Sequence, residues 1–172
     1  MYIRFSRESD KSQIALLTAL VFGNIDADDA LTNLDNRYLL AFDNDKLAAM
    51  TGITWNSEYG GNEIEWTCTH PKYRKRGIMS ELFRRICELT DEDIYCSCLR
   101  LCGHRKVNLH AIMKAFNFKL VKKNDKVWST SSNCNSGKTK YCSLQKSHME
   151  DKRLVREKCM CHEDMYVRKA IK

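Results

Sequence analysis

The chain has 172 residues, enough for one domain whose core can hold a cleft. Its 43% apolar and 30% charged residues exclude a disordered polymer, and no apolar run is long enough to span a bilayer. A formal net charge of +7 suits an anionic ligand, whether cofactor phosphate, nucleic acid or an acidic partner, without choosing among them.

Met1 to Ser6 lacks the basic-then-apolar layout of a secretion signal, so a cytoplasmic protein is expected. Tyr2 to Ser6 alternates like a strand, and Ser9-Asp10 offers a cap for a helix over Lys11 to Gly23. A short helix is expected from Asp28 to Leu34. Arg37 to Phe42 and Lys46 to Trp55 read as a hairpin about Asp43-Asn44-Asp45. Gly60-Gly61-Asn62 makes the next turn, and Glu63 to Thr69 alternates into a third strand. After Pro71 the period becomes helical over Ser80 to Thr90. A strand over Ile94 to Cys102, a helix over Val107 to Phe116 and a strand over Phe118 to Trp128 follow. Ser129 to Lys140 is a polar loop, and Met165 to Ile171 has the alternation of a closing strand. The pattern is α+β in a single domain, 1–172, with a polar insert over residues 129–162.

Nine cysteines demand an account. Cys68, Cys87, Cys96, Cys98 and Cys102 lie in patterned apolar segments and read as small core residues. Cys134, Cys142, Cys159 and Cys161 fall in the polar insert, with His148 and His162 nearby. Tetrahedral zinc takes such ligands, yet the spacing is not C-x2-C. A structural zinc clasp and free thiols both fit.

The chemistry concentrates in Arg74-Lys75-Arg76-Gly77-Ile78-Met79-Ser80, between a strand and a helix. A helix N-terminus presents unpaired N–H groups and a positive dipole end, which phosphate binds. Gly77 permits a tight turn and close approach of an anion. The bland alternative is an ordinary turn with a solvated charge run.

The stretch His70 to Leu82 resembles the acyl-CoA signature of the GNAT superfamily, Gln/Arg-x-x-Gly-x-Gly/Ala opening a helix. Arg74 and Gly77 match it, whereas Met79 stands where Gly or Ala is usual. The element order is similar over residues 2–128 and the last strand, and Asn117-Phe118 resembles the Gly-Phe close of the family's fourth helix. The resemblance implies a GNAT acyl-CoA N-acyltransferase fold: a mixed, mostly antiparallel sheet with splayed central strands, flanked by helices. It implies acetyl-CoA as co-substrate, with the backbones of Thr67, Cys68 and Thr69 on its pantetheine arm and Lys75 to Ser80 around its pyrophosphate. Asn108 is a further contact or simply a helix cap.

Acyl transfer to an amine needs a base, and a carboxylate serves if burial raises its pKa. Glu63 and Glu65 share one face of their strand, and Glu63 falls where the histone-acetylating branch carries its base. Both also read as solvent-facing strand residues. Met113 stands where many relatives place a tyrosine acid, leaving His110 and Tyr95 as neighbouring candidates. The expected acceptor is a small-molecule or peptide amine, and the protein a monomer or homodimer. Two alternatives stay open: an acyl-CoA binder without turnover, and a nucleic-acid-binding module. The latter lacks the interleaved aromatics of single-strand binders.

Overall fold

Residues 1–22, 37–100, 109–125 and 162–170 are described by the computed structural model of the chain. The strands are β1 (Tyr2–Phe5), β2 (Tyr38–Asp43), β3 (Lys46–Asn56), β4 (Gly61–Thr69), β5 (Ile94–Arg100), β6 (Lys119–Asp125) and β7 (His162–Arg168). The described helices are α1 (Lys11–Val21), α2 (Ile78–Leu89) and α3 (Leu109–Ala115). The strand order is β1-β2-β3-β4-β5-β7-β6. Two compact units divide the chain, one of residues 1–95 and 168–172, the other of residues 96–167.

In the first unit β1 to β4 form an antiparallel meander. Tyr38 to Phe42 are all buried, so β2 is covered on both faces. Tyr38, Leu40 and Phe42 meet Ile14 and Leu17 of α1 in a cluster that also holds Leu47, Met50 and Cys68. The alternate residues Leu39 and Ala41 take the opposite face. There α2 packs on β2, β3 and β4, burying Ile78, Leu82, Phe83 and Ile86 at helical spacing. Each such side chain contributes roughly 2 kcal/mol of burial.

The local turns follow from residue type. Asn44 and Asp45 have φ of 47° and 61°, the two left-handed residues of a type I′ hairpin. The next turn differs from expectation, because Gly61 belongs to β4 and the turn precedes it. A Cβ on Gly61 would stand 2.7 Å from the Asp93 carbonyl oxygen and 2.8 Å from the Tyr95 ring. Glycine is there for close approach. A second difference is at β7, which begins at His162 rather than Met165 and buries Asp164.

In the second unit α3 closes on Asn117, whose φ is 61°. Phe118 N donates to Met113 O at 2.8 Å and Asn117 N to Lys114 O at 3.2 Å, the paired bonds of a Schellman cap. Asparagine thus fills the left-handed position usually held by glycine. Strands β6 and β7 pair antiparallel, with one extra residue at Val121.

Cys68, Cys96 and Cys98 are buried and Cys87 half-buried. Asn108, Cys102, the helix expected over Asp28 to Leu34 and the four insert cysteines lie outside the described residues. Among the described residues no three His, Cys, Asp or Glu side chains could hold a metal, and no helix is long and apolar enough to cross a membrane.

The start of α1 hangs on Asp10, which is 3% exposed. Its two carboxylate oxygens accept from the Arg4 guanidinium at 2.6 and 2.8 Å, and one also accepts from Arg7 N at 2.7 Å. Arg4 foremost holds the Asp10 pKa below the usual aspartate value. This carboxylate therefore stabilises the fold above its unfolded pKa of about 4, and the contribution fades as pH falls further. Asp10→Asn should cost about 2 kcal/mol at neutral pH and flatten the acid limb of stability against pH, measured by urea unfolding.

Candidate active site

The site begins with an irregularity in β4. Met50 pairs with Cys68 and Gly52 with Glu65, so Trp66 and Thr67 together oppose Thr51. This is a β-bulge. Trp66 takes it up with a φ of 49°, a left-handed conformation that costs a bulky residue about 1–2 kcal/mol relative to glycine. The Thr51 and Thr67 hydroxyls share a hydrogen bond of 2.9 Å across the bulge, and Thr51 is fully buried.

The bulge changes which side chains share a face. Unbroken alternation would put Trp66 with Ile64, away from Glu63 and Glu65. Instead Trp66 packs against the α1 cluster, and Cys68 belongs to that cluster. Glu65 lies on the same face, its Cγ and the Tyr38 ring flanking Gly52. Thr67 points the other way, to Thr51.

On the α1 face, Glu63 Oε2 accepts from Asn56 Nδ2 at 2.6 Å, and Arg37 Nη1 donates to Thr54 Oγ1 at 2.9 Å. Thr54 is the register partner of Glu63, so guanidinium and carboxylates occupy neighbouring positions. Burial raises the Glu65 pKa above the ordinary carboxylate value, the Glu63 charge raises it further, and Arg37 opposes both. Burial beside Glu65 likewise raises the Tyr38 phenol. The Cys68 thiol is pushed up to about 12 by burial, which leaves it an inert core group.

Beyond β4 the chain tightens. His70 Nδ1 accepts from Lys72 N at 3.2 Å and caps a single 3-10 turn over Pro71–Tyr73. Arg74 is extended, and its Nε donates to the Thr69 carbonyl at 3.2 Å. Lys75 and Gly77 then have φ of 62° and 76°, and α2 starts. Gly77 is the N-cap, and Glu81 N donates to Gly77 O at 3.1 Å as the first helical bond. The N–H groups of Ile78, Met79 and Ser80 precede that bond and have no helical partner. A Cβ on Gly77 would meet nothing within 4 Å, so the space at the cap is open. Arg76 lies over the Tyr73 ring at 5.3 Å and 3.7 Å from the Asp43 carboxylate. The result is a cationic turn whose backbone donors open on free space, an arrangement suited to a phosphate.

The model of the acetyltransferase (GNAT) family matches residues 8–113, more than half of the chain. The chain belongs to the GNAT family of acetyltransferases. No curated protein matches its sequence significantly. Among solved structures, the aminoglycoside 6'-N-acetyltransferase of Enterococcus faecium superposes with a TM-score of 0.67 at 13% identity, over 100% of this chain and 98% of that one. An aminoglycoside 6'-N-acetyltransferase complexed with coenzyme A gives the same TM-score, 0.67, at 13% identity, over 100% and 98% of the two chains. The ribosomal-protein-S18-alanine N-acetyltransferase of Escherichia coli gives 0.67 at 9% identity, over 96% and 91%. At these identities the likeness is one of fold: the mixed seven-stranded sheet of the GNAT acyl-CoA N-acyltransferases.

The GNAT assignment gives the residues singled out from sequence a common frame. Glu63 and Glu65 share a face, as their spacing predicts, and the loop from Arg74 to Ser80 runs into a helix N-terminus. The helix begins at Ile78, two residues before the expected Ser80, with Gly77 as its cap, and Met79 is half-buried. Met113 is buried at 1% exposure, while Tyr95 packs on Tyr59 with ring centroids 5.0 Å apart. Sequence reasoning passed over Arg37, Gly52 and Trp66. Only Gly52, a glycine inside a strand, carried a readable signal.

That glycine makes room for the site. An alanine Cβ at position 52 would stand 3.0 Å from the Tyr38 ring, 3.1 Å from Glu65 Cγ and 3.2 Å from the Glu65 carbonyl oxygen. Removing glycine from a strand is mildly favourable, but crowding a buried ring and a backbone carbonyl outweighs it. Gly52→Ala should lose about 1 kcal/mol in thermal unfolding and displace the Glu65 side chain.

Proposed function

We propose that this GNAT protein transfers an acetyl, or another short acyl, group from acyl-CoA to a primary amine. The observation that carries the reading is the left-handed Gly77 cap, with open space at it and three N–H groups that have no helical partner behind it. The CoA complex of a GNAT enzyme with this fold supports it. In this reading Lys75 to Ser80 cradle the pyrophosphate, with Arg76 supplying charge beside them. The backbones of Thr67 to Thr69 run along the pantetheine arm, and Arg74, tied to the Thr69 carbonyl, braces the loop against that strand.

The amine nitrogen attacks the thioester carbonyl, and the C–S bond breaks as the tetrahedral adduct collapses. The attacking nitrogen must shed a proton, and Glu65 receives it, directly or through one water. Burial raises the Glu65 pKa, as a base requires, while Glu63 is already engaged by Asn56. Glu63, held by Asn56, keeps the Glu65 carboxylate basic through its own charge. The thiolate is a good leaving group and departs as the anion of CoA.

Calorimetry with acetyl-CoA should give saturable binding, and thiol release should appear on adding pooled primary amines. Absence of any heat with acetyl-CoA would sink the reading. Gly77→Ala meets no steric obstacle but strains the backbone, so it should weaken acetyl-CoA binding about tenfold. Glu65→Gln should lower kcat by about 100-fold or more while leaving acetyl-CoA affinity intact. The base works ionised, so wild-type kcat/KM should fall with acid at a pH above the ordinary glutamate range, and Glu65→Gln should abolish that limb. Unchanged turnover in Glu65→Gln, with normal acetyl-CoA binding, would remove Glu65 from the mechanism.

A further inference from the structure

We infer that Trp66 is a specificity-determining residue that selects amines carried on an apolar, flat stem over amines carried on a polyol. The inference rests on the acyl-transfer reading above and deepens it. Three observations converge. First, the backbone of Trp66 is left-handed, where glycine or asparagine sits at lower cost and an indole is a poor choice for stability alone. Second, that conformation turns the ring onto the face of Glu65, the residue immediately before it, whereas regular alternation would turn it away. Third, the ring is held. It packs against the α1 cluster, and Phe22 meets it edge-on at 6.0 Å with planes 77° apart.

Trp66 remains only half-buried, so the indole keeps open surface beside the proposed proton acceptor. Phe22 is 41% exposed and extends that apolar surface along the end of α1. An amine delivered to Glu65 brings its first carbons against the ring. An aryl or alkyl stem loses water there favourably, and an ammonium approaching the ring face gains a cation–π attraction. A sugar stem must surrender hydroxyl hydration to a wall that offers no partner.

The test is steady-state kinetics with acetyl-CoA and two acceptors, phenethylamine and glucosamine. The wild-type protein should favour phenethylamine by about tenfold or more in kcat/KM, the size of discrimination an apolar pocket supplies. Trp66→Asn keeps a residue tolerant of the left-handed backbone. It should raise the phenethylamine KM about tenfold and erase the preference, with acetyl-CoA Kd within about twofold of wild type. Trp66→Phe should keep most of the preference. Should Trp66→Asn fail to fold, Phe22→Ala, at an exposed position, should erode the preference through KM alone. Preference for glucosamine, or a preference untouched by both variants, overturns the inference. So does a loss of acetyl-CoA affinity in Trp66→Asn, which would make Trp66 a cofactor support. Failure of the wild-type protein to bind acetyl-CoA, or to acetylate any amine, would overturn the acyl-transfer reading itself and this inference with it.

Discussion

One additional residue in β4, opposite Thr51, governs how everything else in the first unit is arranged. On its N-terminal side the strand places Glu63 and Glu65 over α1, and on its C-terminal side it places Cys68 in the same core. A strand without it would turn either the carboxylates or the thiol to the wrong face. The left-handed Trp66 is an unfavourable local choice, and three distributed contacts offset it. The Thr51–Thr67 hydroxyl bond closes the gap in the ladder, Met50 and Cys68 pack beyond it, and α1 grips the indole. Strain held this way belongs to the fold rather than to any one residue.

The charges around the loop are arranged as carefully as the backbone. Glu81 in the first turn of α2 would repel an anion at the helix start. Arg84 and Arg85 hold it instead, pulling its pKa down to about 2. The glutamate charge is thereby matched within its own helix, and Lys75 and Arg76 keep the loop cationic. Arg76 is steadied by the Tyr73 ring, from the 3-10 turn, and by the Asp43 carboxylate at the end of β2. Exposed pairs of this kind add little to stability, and their contribution is to orientation.

Much of this was legible in the sequence because it is local. Asn44-Asp45 announces a left-handed hairpin turn, Asn117 a helix end, and the spacing of Leu82, Phe83 and Ile86 a buried helical face. The run Arg74 to Gly77 before a helical period is likewise local chemistry. The bulge was not legible. Glu63 to Thr69 alternates without a flaw on paper, and the slip arises only when β3 lays Gly52 and Met50 beside it. Alternation alone pairs Trp66 with Ile64, and its place on the Glu65 face follows only from that slip. Ranking Glu65 against Glu63 also needed depth, because two glutamates at strand spacing differ only in what covers them. Gly61 read as a turn residue for want of knowing that Asp93 would press upon it.

Tyr38 connects two properties that are usually separable. Its ring is wholly enclosed within the α1 cluster, and its edge borders the space that Gly52 leaves for Glu65. The dryness that weakens Glu65 as an acid relative to a free carboxylate comes from hydrocarbon such as this. A mutation that loosens the packing of Tyr38 admits solvent to the carboxylate as well, and so shifts a titration while it softens the centre. Drift in the interior of this protein cannot be silent at its surface.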